Sequence, residues 1–225
     1  MTKNLILCFS SLRPVGFSEN MIQIREMNYD LALDWLLDSI PKNWDIIYSD
    51  NTIKNIDSIK NESLKNKLYN INVMLHNNNQ GSVNKGAGEH DMCKKAFLSV
   101  DHEKYNWVTY FTARHIIPSS SYFDKLDREY KEFECIMSNP GFDYLLNYKH
   151  LSPAQSLYND MLFSMKSNVF SSFVNSIDIK GLQNLNKNSE RHLFEFVKNN
   201  KYKTHELSRL GILRNDHQSY GWHLV

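Results

Sequence analysis

The amino-acid sequence predicts an α/β fold in which a mainly parallel central sheet is flanked by helices. Continuous apolar runs at residues 4–9, 44–48 and 71–75 are typical of strands buried on both faces of a parallel sheet. Residues 71–118 also follow the order strand, polar loop, helix, strand, which is the order of a βαβ unit. Together these patterns favour helices packed on both faces of one sheet.

The first two predicted strands each end in a polar loop. Residues 4–9 lead into Ser10-Ser11-Leu12-Arg13-Pro14, and residues 44–48 lead into Ser49-Asp50-Asn51-Thr52. Between them an amphipathic helix is predicted from apolar residues spaced i, i+3, i+4, i+7, and Pro41 ends it; these residues are Leu33, Leu36, Leu37 and Ile40. Asp50 and Asn51 have a local alternative, because such a pair often forms only an Asx-turn.

The central βαβ unit contains two further polar segments. Residues 77–89 follow the strand at 71–75, and residues 112–115 follow an apolar run at 107–111. A helix is predicted between them from apolar residues on one face, which are Met92, Cys93, Ala96, Phe97 and Val100. Because ligands of parallel sheets bind beyond the carboxyl ends of the strands, we expect the site at these two segments.

The second half of the chain is less regular. A helix is predicted from Phe123, Leu126, Tyr130 and Phe133, and residues 159–165 are typical of a further strand. A helix at about 170–177, N-capped by Ser167 or Asn168, then a polar loop at 183–188 and a helix beginning at Ser189 are predicted next. The aromatic residues Tyr144, Tyr148 and His150 either stack on a sugar or pack locally. The tail, residues 202–225, either closes over a site or is a disordered terminus.

Composition excludes several classes of protein. The 225 residues carry 26 basic and 25 acidic side chains, so nothing in the charge balance demands a nucleic acid. Three cysteines, an odd count in apolar surroundings, are typical of reduced core residues in a cytosolic protein. We expect no signal peptide, and no stretch approaches the ~20 apolar residues of a membrane span.

The loop Asn77-Asn78-Asn79-Gln80-Gly81-Ser82-Val83-Asn84-Lys85-Gly86, followed by the strand and turn at 107–118, resembles the nucleotide-sugar-binding half of GT-A glycosyltransferases. The resemblance implies a single domain over residues 1–225, with residues 1–118 as the nucleotide-sugar half and 119–225 as the acceptor side. It implies nucleotide-sugar contacts at the ends of successive strands, by Ser10, Arg13, Asp50, Asn79, Lys85, Arg114 and His115. The chain departs from the family where the usual Asp-x-Asp is replaced by Thr112-Ala113-Arg114.

The missing Asp-x-Asp motif affects whether the chain can bind a metal ion. Most GT-A enzymes hold Mg²⁺ or Mn²⁺ with carboxylates, yet this chain has no acid between Tyr105 and Ser121. We therefore expect no bound metal and no other cofactor, and the alternative is a site for Mg²⁺ or Mn²⁺. Arg114 offers a planar fork to phosphate oxygens, and Lys85 a point charge at a helix start. Each of these two residues also has a role without phosphate binding. Arg114 would then form an ion pair with Asp124 or Asp127, and Lys85 would be an ordinary solvated lysine. His115 has a structural role as its alternative.

Transfer with inversion also needs a base for the acceptor hydroxyl. The resemblance implies that Glu190, at the start of a late helix, is that catalytic residue, and the helix dipole would favour its ionised form. The alternative is an acid that merely suits the first turn of a helix.

The expected function is transfer of a sugar from a nucleotide-sugar donor, with UDP-sugars favoured, to a glycan or lipid-linked acceptor. The resemblance implies surface-polysaccharide synthesis such as that of capsule or lipopolysaccharide, in the cytoplasm or at the inner face of the membrane. A non-catalytic relative that binds sugars or a partner enzyme is the alternative. A nucleotidyltransferase is disfavoured because it would normally keep metal-binding carboxylates.

Overall fold

The computed structural model describes residues 3–76, 81, 83–138, 158–185, 189–207, 210–216 and 221–224. Asn79, Tyr144, Tyr148 and His150 lie outside the described residues, so the predictions that concern them stay predictions.

The described chain alternates strands and helices. Its first half contains β1 (Lys3–Ser10), α1 (Glu19–Ser39), β2 (Trp44–Asp50), α2 (Glu62–Tyr69), β3 (Asn72–Leu75), α3 (Lys85–Leu98) and β4 (Tyr105–Thr112), with short 3₁₀ turns at Ile56–Ser58 and His102–Lys104. Its second half contains α4 (Ser121–Arg128), β5 (Cys135–Ser138), β6 (Leu162–Lys166), α5 (Ser167–Ser176), α6 (Ile179–Asn184), α7 (Ser189–Asn200), β7 (Thr204–Leu207), β8 (Leu213–Asp216) and β9 (Gly221–Leu224).

Seven strands form one sheet in the order β3-β2-β1-β4-β6-β5-β7, and β8 pairs with β9 in a separate hairpin. Every pairing in the large sheet is parallel except those of β6, which runs antiparallel to β4 and to β5. The predicted α/β class with a mainly parallel sheet is therefore confirmed. β3 and β4 of the predicted βαβ unit are parallel but not adjacent, because β2 and β1 lie between them.

Alternating side chains of the strands enter two separate apolar layers. In β1, Leu5, Leu7 and Phe9 pack on one face with apolar residues of α3, α5 and α7. Ile6 and Cys8 point to the other face and pack with residues of α1, α2 and α4. This period-two alternation with both faces buried explains why the strand is apolar throughout.

α1, α2 and α3 each begin at a side-chain acceptor, and that of α2 is Asn61. Ser18 accepts a hydrogen bond from the amide of Met21, and Asn84 caps α3 through Ala87 at 2.9 Å. The N-cap prediction for the helix after β6 is wrong. That helix begins directly at Ser167, its cap position is Lys166, and no side chain caps it.

Several elements differ from the predictions. Sequence periodicity missed β5, β7 and α6, which are only four to six residues long. The tail is ordered in part, since Leu213 of β8 bridges to Ile116 after β4. The three cysteines are buried and free, as expected. Among the described helices, none combines the length and apolar character needed to span a bilayer.

Candidate functional site

The carboxyl ends of the central strands lie in register at one edge of the sheet. Ser10, the last residue of β1, is opposite Asp50, the last residue of β2, and Asp50 is in turn opposite Leu75 of β3. On the other side Phe9 is opposite Thr112 of β4. The loops that leave these strands must therefore share one edge, which is where the parallel topology favours ligand binding.

The carboxylate of Asp50 holds the loops after β1 and β2 through hydrogen bonds. Its carboxylate is fully buried and accepts hydrogen bonds from the Ser10 hydroxyl at 2.6 Å and the Leu12 amide at 2.8 Å. The second oxygen accepts from the amide and hydroxyl of Thr52 and from the amide of Ile53. The Asx-turn alternative is thus present. Direct contact of Asp50 or Ser10 with a nucleotide stays a prediction, since both are occupied in holding the loops.

Arg13 lies beside the same loops but points to α1. Its guanidinium donates to Glu26 at 3.2 Å, and that carboxylate is almost wholly buried. The other oxygen of Glu26 accepts from the amides of Lys60 and Asn61. The contacts of Arg13 are therefore those of a residue that ties the first loop to α1, and it does not line the cleft.

A cleft of about 220 Å³ opens above this edge. One wall comes from the loops after β1 and β2, and the other from α3 and the segment after β4. Its lining residues are Ser11, Pro14, Val15, Arg25, Asn51, Thr52, Gly81, Lys85, Glu89 and Arg114. Two predicted residues, Lys85 and Arg114, are among them.

The floor of the cleft requires two glycines in contact. A Cβ atom on Gly88 would lie 2.6 Å from the backbone nitrogen of Gly81 and 3.3 Å from the side-chain nitrogen of Asn51. No side chain is tolerated at the first distance, so glycine at position 88 allows the loop to approach α3. Asn51 is held at this point by the hydroxyl of Ser11, at 3.0 Å.

Two cationic side chains, Lys85 and Arg114, line the cleft from different elements. Lys85 is the first residue of α3 and is mostly exposed, 3.5 Å from Glu89 on the next turn. Arg114 follows β4, and its Nε is buried without a hydrogen-bond partner among the described residues. Asp124 and Asp127 instead accept from Ser120 and Asn4, so the alternative ion pair with Arg114 is not formed there.

Three carboxylates gather beside these cations. Ser189, the first residue of α7, hydrogen-bonds Asp160 and lies 3.3 Å from Glu89 Oε2. Glu190 is the next residue of α7, and both Asp160 and Glu89 raise its pKa by like-charge repulsion. The charge of Lys85 lowers the pKa of Glu190, so the predicted cation lies near enough to the predicted base to act on its charge.

Burial and the two neighbouring acids together raise the pKa of Glu190 to about 7. The expectation that the helix dipole keeps Glu190 ionised is corrected by these stronger opposing effects. Burial likewise raises the pKa of Glu89, while the Glu89 carboxylate raises the pKa of Lys85. A carboxyl group that titrates near neutral pH suits proton transfer better than a fully ionised one.

The structure places Lys85 and Arg114 together in the cleft, with Glu190 near Lys85 but not among the lining residues, and leaves His115 elsewhere. His115 is fully buried and does not line the cleft, so its position agrees with the structural alternative.

Sequence reasoning missed Glu89, Asp160 and Arg25 as members of the site or its walls. Glu89 had a usable signal in its i, i+4 spacing from Lys85. Arg25 had none, because the first turns of α1 show little periodic contrast, although the structure places it on the inward face with only 6% exposed.

The donor set does not fit the metal that the resemblance would imply. At the end of β4, where an acid pair would be needed, the chain has Thr112 and the cationic Arg114. Among the residues that the structure describes, no three His, Cys, Asp or Glu side chains are arranged to hold a metal ion. Metal-independent chemistry stays a prediction.

Comparison with known proteins supports the fold. Neither a protein-family model nor a curated protein matches the sequence. A protein described as a nucleotide-diphospho-sugar transferase, from Desulfovibrio desulfuricans G20, aligns with 92% of this chain and 80% of its own, with a TM-score of 0.54 and 13% identity. The bifunctional IspDF from Campylobacter jejuni aligns with 91% of this chain and 49% of its own, with a TM-score of 0.51 and 10% identity. The chain therefore has the α/β fold of nucleotide-sugar transferase-like proteins.

Proposed function

We propose that the protein is a glycosyltransferase that moves a sugar from a nucleotide-sugar donor, with UDP-sugars favoured, to a glycan or lipid-linked acceptor. The observation that carries this proposal is that Arg114 and Lys85 line one cleft together with Glu89, and that Glu190, a carboxyl of raised pKa, lies near enough to Lys85 and Glu89 for their charges to act on it. Surface-polysaccharide synthesis at the cytosolic face of the membrane is the setting that the resemblance suggests.

The cations account for donor binding and for departure of the leaving group. Arg114 lines the cleft, and its buried Nε has no hydrogen-bond partner among the described residues, so turning the guanidinium to a phosphate oxygen breaks no hydrogen bond at Nε. Lys85 is exposed and held to Glu89 only by an i, i+4 pair, so the side chain is free to turn to a diphosphate. The first amides of α3 and its dipole favour the same anion.

The carboxylates account for the acceptor side. If transfer inverts configuration, the acceptor oxygen bonds to the anomeric carbon as the bond from that carbon to the diphosphate oxygen breaks. The carboxylate of Glu190 takes the acceptor's proton, and the diphosphate leaves with its negative charge facing Arg114 and Lys85. Protein cations thereby do what a metal ion does in relatives, so the reaction needs no divalent ion.

Calorimetry with uridine diphosphate tests the binding half of the proposal. We expect binding that EDTA barely weakens, because the phosphate contacts come from side chains. Arg114→Ala and Lys85→Ala should each weaken binding by ~1.5–3 kcal/mol, the usual size of a charge-assisted contact, and leave uridine binding unchanged. Lys95→Ala is the matched control, since Lys95 forms an i, i+4 pair with Asp91 on the same helix. Complete loss of binding with EDTA would overturn the metal-free mechanism.

Turnover separates this proposal from the non-catalytic alternative. Incubation with a pool of nucleotide sugars should release a nucleoside diphosphate, slowly to water and faster once an acceptor is supplied. A chain that binds the nucleotide but releases none with any donor would be a binding relative. A thermal-shift screen of nucleotide sugars selects the donor for this assay.

A further inference from the structure

The outer face of α1 (Glu19–Ser39) is apolar over most of its length. Exposed fractions are 41% for Met21, 37% for Ile24, 63% for Met27, 43% for Leu31 and 43% for Trp35. Spacings of three and four residues place these side chains in one row along the helix. We name this row the α1 stripe. Single exposed apolar residues are ordinary, but a continuous row of this kind marks an interaction surface.

The charges around the α1 stripe argue against a membrane as its partner. Helices that lie on bilayers are rich in Lys and Arg. The only basic residue of α1 is Arg25, and it is buried. The charged residues on the outer face are acidic, with Asp38 exposed and Asp34 54% exposed and paired with Lys67 at 2.6 Å. An anionic lipid surface would repel them.

The α1 stripe is complementary to itself when two copies run antiparallel. If the two-fold axis passes near Tyr29, Ile24 of one copy faces Trp35 of the other, and Met27 faces Leu31. A row of this kind can form an isologous contact, in which one patch meets its own copy. In this arrangement the long or aromatic side chains of Trp35 and Met27 cover Ile24 and Leu31 of the other copy.

Charge also favours the antiparallel arrangement. A parallel pair would bring Asp38 against its own copy, with like charges in contact, whereas Asp34 is already paired with Lys67. In the antiparallel pair Asp38 approaches the amino end of the other α1, where the helix dipole attracts a negative charge. The one acid there, Glu19, is already paired with Lys60.

From these observations we propose that the α1 stripe is the contact surface of a homodimer, formed by antiparallel packing of α1 from two copies of this chain. The row spans about 21 Å, from 14 residues at the helical rise. A contact between two helices of this length is at the small end of stable interfaces, so the dimer dissociates on dilution. No residue of the α1 stripe lines the cleft, and the proposal does not depend on the proposed activity.

Sedimentation equilibrium across a dilution series tests the dimer. The wild type should pass from dimer to monomer, and Met27→Asp and Trp35→Asp should each raise the dissociation constant at least ~30-fold, as for residues central to an interface. Leu98→Asp is the matched control: Leu98 is 56% exposed at the end of α3 and should leave dissociation unchanged. Melting temperatures verify that each variant is folded.

Engineered disulfides test the orientation. The native cysteines are buried and do not interfere. A mixture of Met27→Cys and Leu31→Cys chains should cross-link to each other. Met21→Cys alone should not, because antiparallel packing separates its two copies by about 25 Å.

Three results would overturn the proposal. The first is a wild type that stays monomeric at every concentration, whether or not it binds phosphatidylcholine–phosphatidylglycerol vesicles. The second is a dimer that survives both aspartate substitutions. The third is efficient cross-linking of Met21→Cys chains to each other.

Discussion

Replacing Glu190 by Gln should make the protein more stable at pH 8 while leaving its stability at pH 5 almost unchanged. Burial, Asp160 and Glu89 raise the pKa of this carboxyl from 4.5 to about 7, so the folded state keeps a proton that the unfolded state releases. Stability from this group is fully present below pH 4.5 and is lost as the pH rises through 7. A shift of 2.5 units corresponds to about 3 kcal/mol, and solvent around the partly exposed side chain reduces it to ~2 kcal/mol.

Urea denaturation at pH 5 and pH 8 measures this difference. Glutamine cannot ionise, so Glu190→Gln should lose ~2 kcal/mol less than the wild type between the two pH values. Glu195→Gln is the matched control, because Glu195 lies on the same helix and pairs with Arg191 at the surface. An equal loss of stability in Glu190→Gln and the wild type would refute the clustering of like charges at this site.

Three further outcomes follow from the same contacts. Glu190→Gln should lower turnover ~10²-fold or more, the range of general-base contributions, with donor affinity measured by calorimetry nearly unchanged; normal turnover would remove Glu190 from the mechanism. Asp50→Asn should lower the free energy of unfolding by ~2–3 kcal/mol, since an amide nitrogen replaces a buried acceptor of several hydrogen bonds, and an unchanged denaturation midpoint would contradict this. Gly88→Ala should weaken nucleotide binding at least ~10-fold because its Cβ would displace Gly81, and wild-type affinity would show that the loop moves freely.

The fold could be predicted because its signals are local. Continuous apolar runs identified β1, β2 and β4 within two residues of their observed bounds. The spacing of apolar residues identified α3 and α4, but α4 ends at Arg128, so Tyr130 and Phe133 of the predicted helix lie beyond it. The short strands β5 and β7 could not be found in this way. A run of four residues carries too little pattern to separate a strand from a buried turn. α1 was predicted only from residue 33, because its earlier turns are apolar on both faces and show little periodic contrast.

The candidate site could be predicted only where its residues follow parallel strands or open helices. Lys85 and Arg114 were found in this way, and both line the cleft. Asp50 was found by the same rule, yet every hydrogen bond of its carboxylate goes to its own loops. Position at a strand end selects residues near the site, but it does not distinguish a ligand-binding side chain from one that holds a loop.

Asp160 shows why strand direction decides the chemistry of the cleft. It precedes β6, and in a parallel strand a residue before the first position lies at the edge opposite the ligand. β6 is antiparallel to β4, with Phe111 opposite Leu162, so its beginning lies at the carboxyl edge of the other strands. The reversal carries Asp160 to Ser189 and Glu89, and Asp160 adds to the rise in the pKa of Glu190 that burial causes first. The direction of one strand thus helps a helix-start acid to exchange a proton near neutral pH.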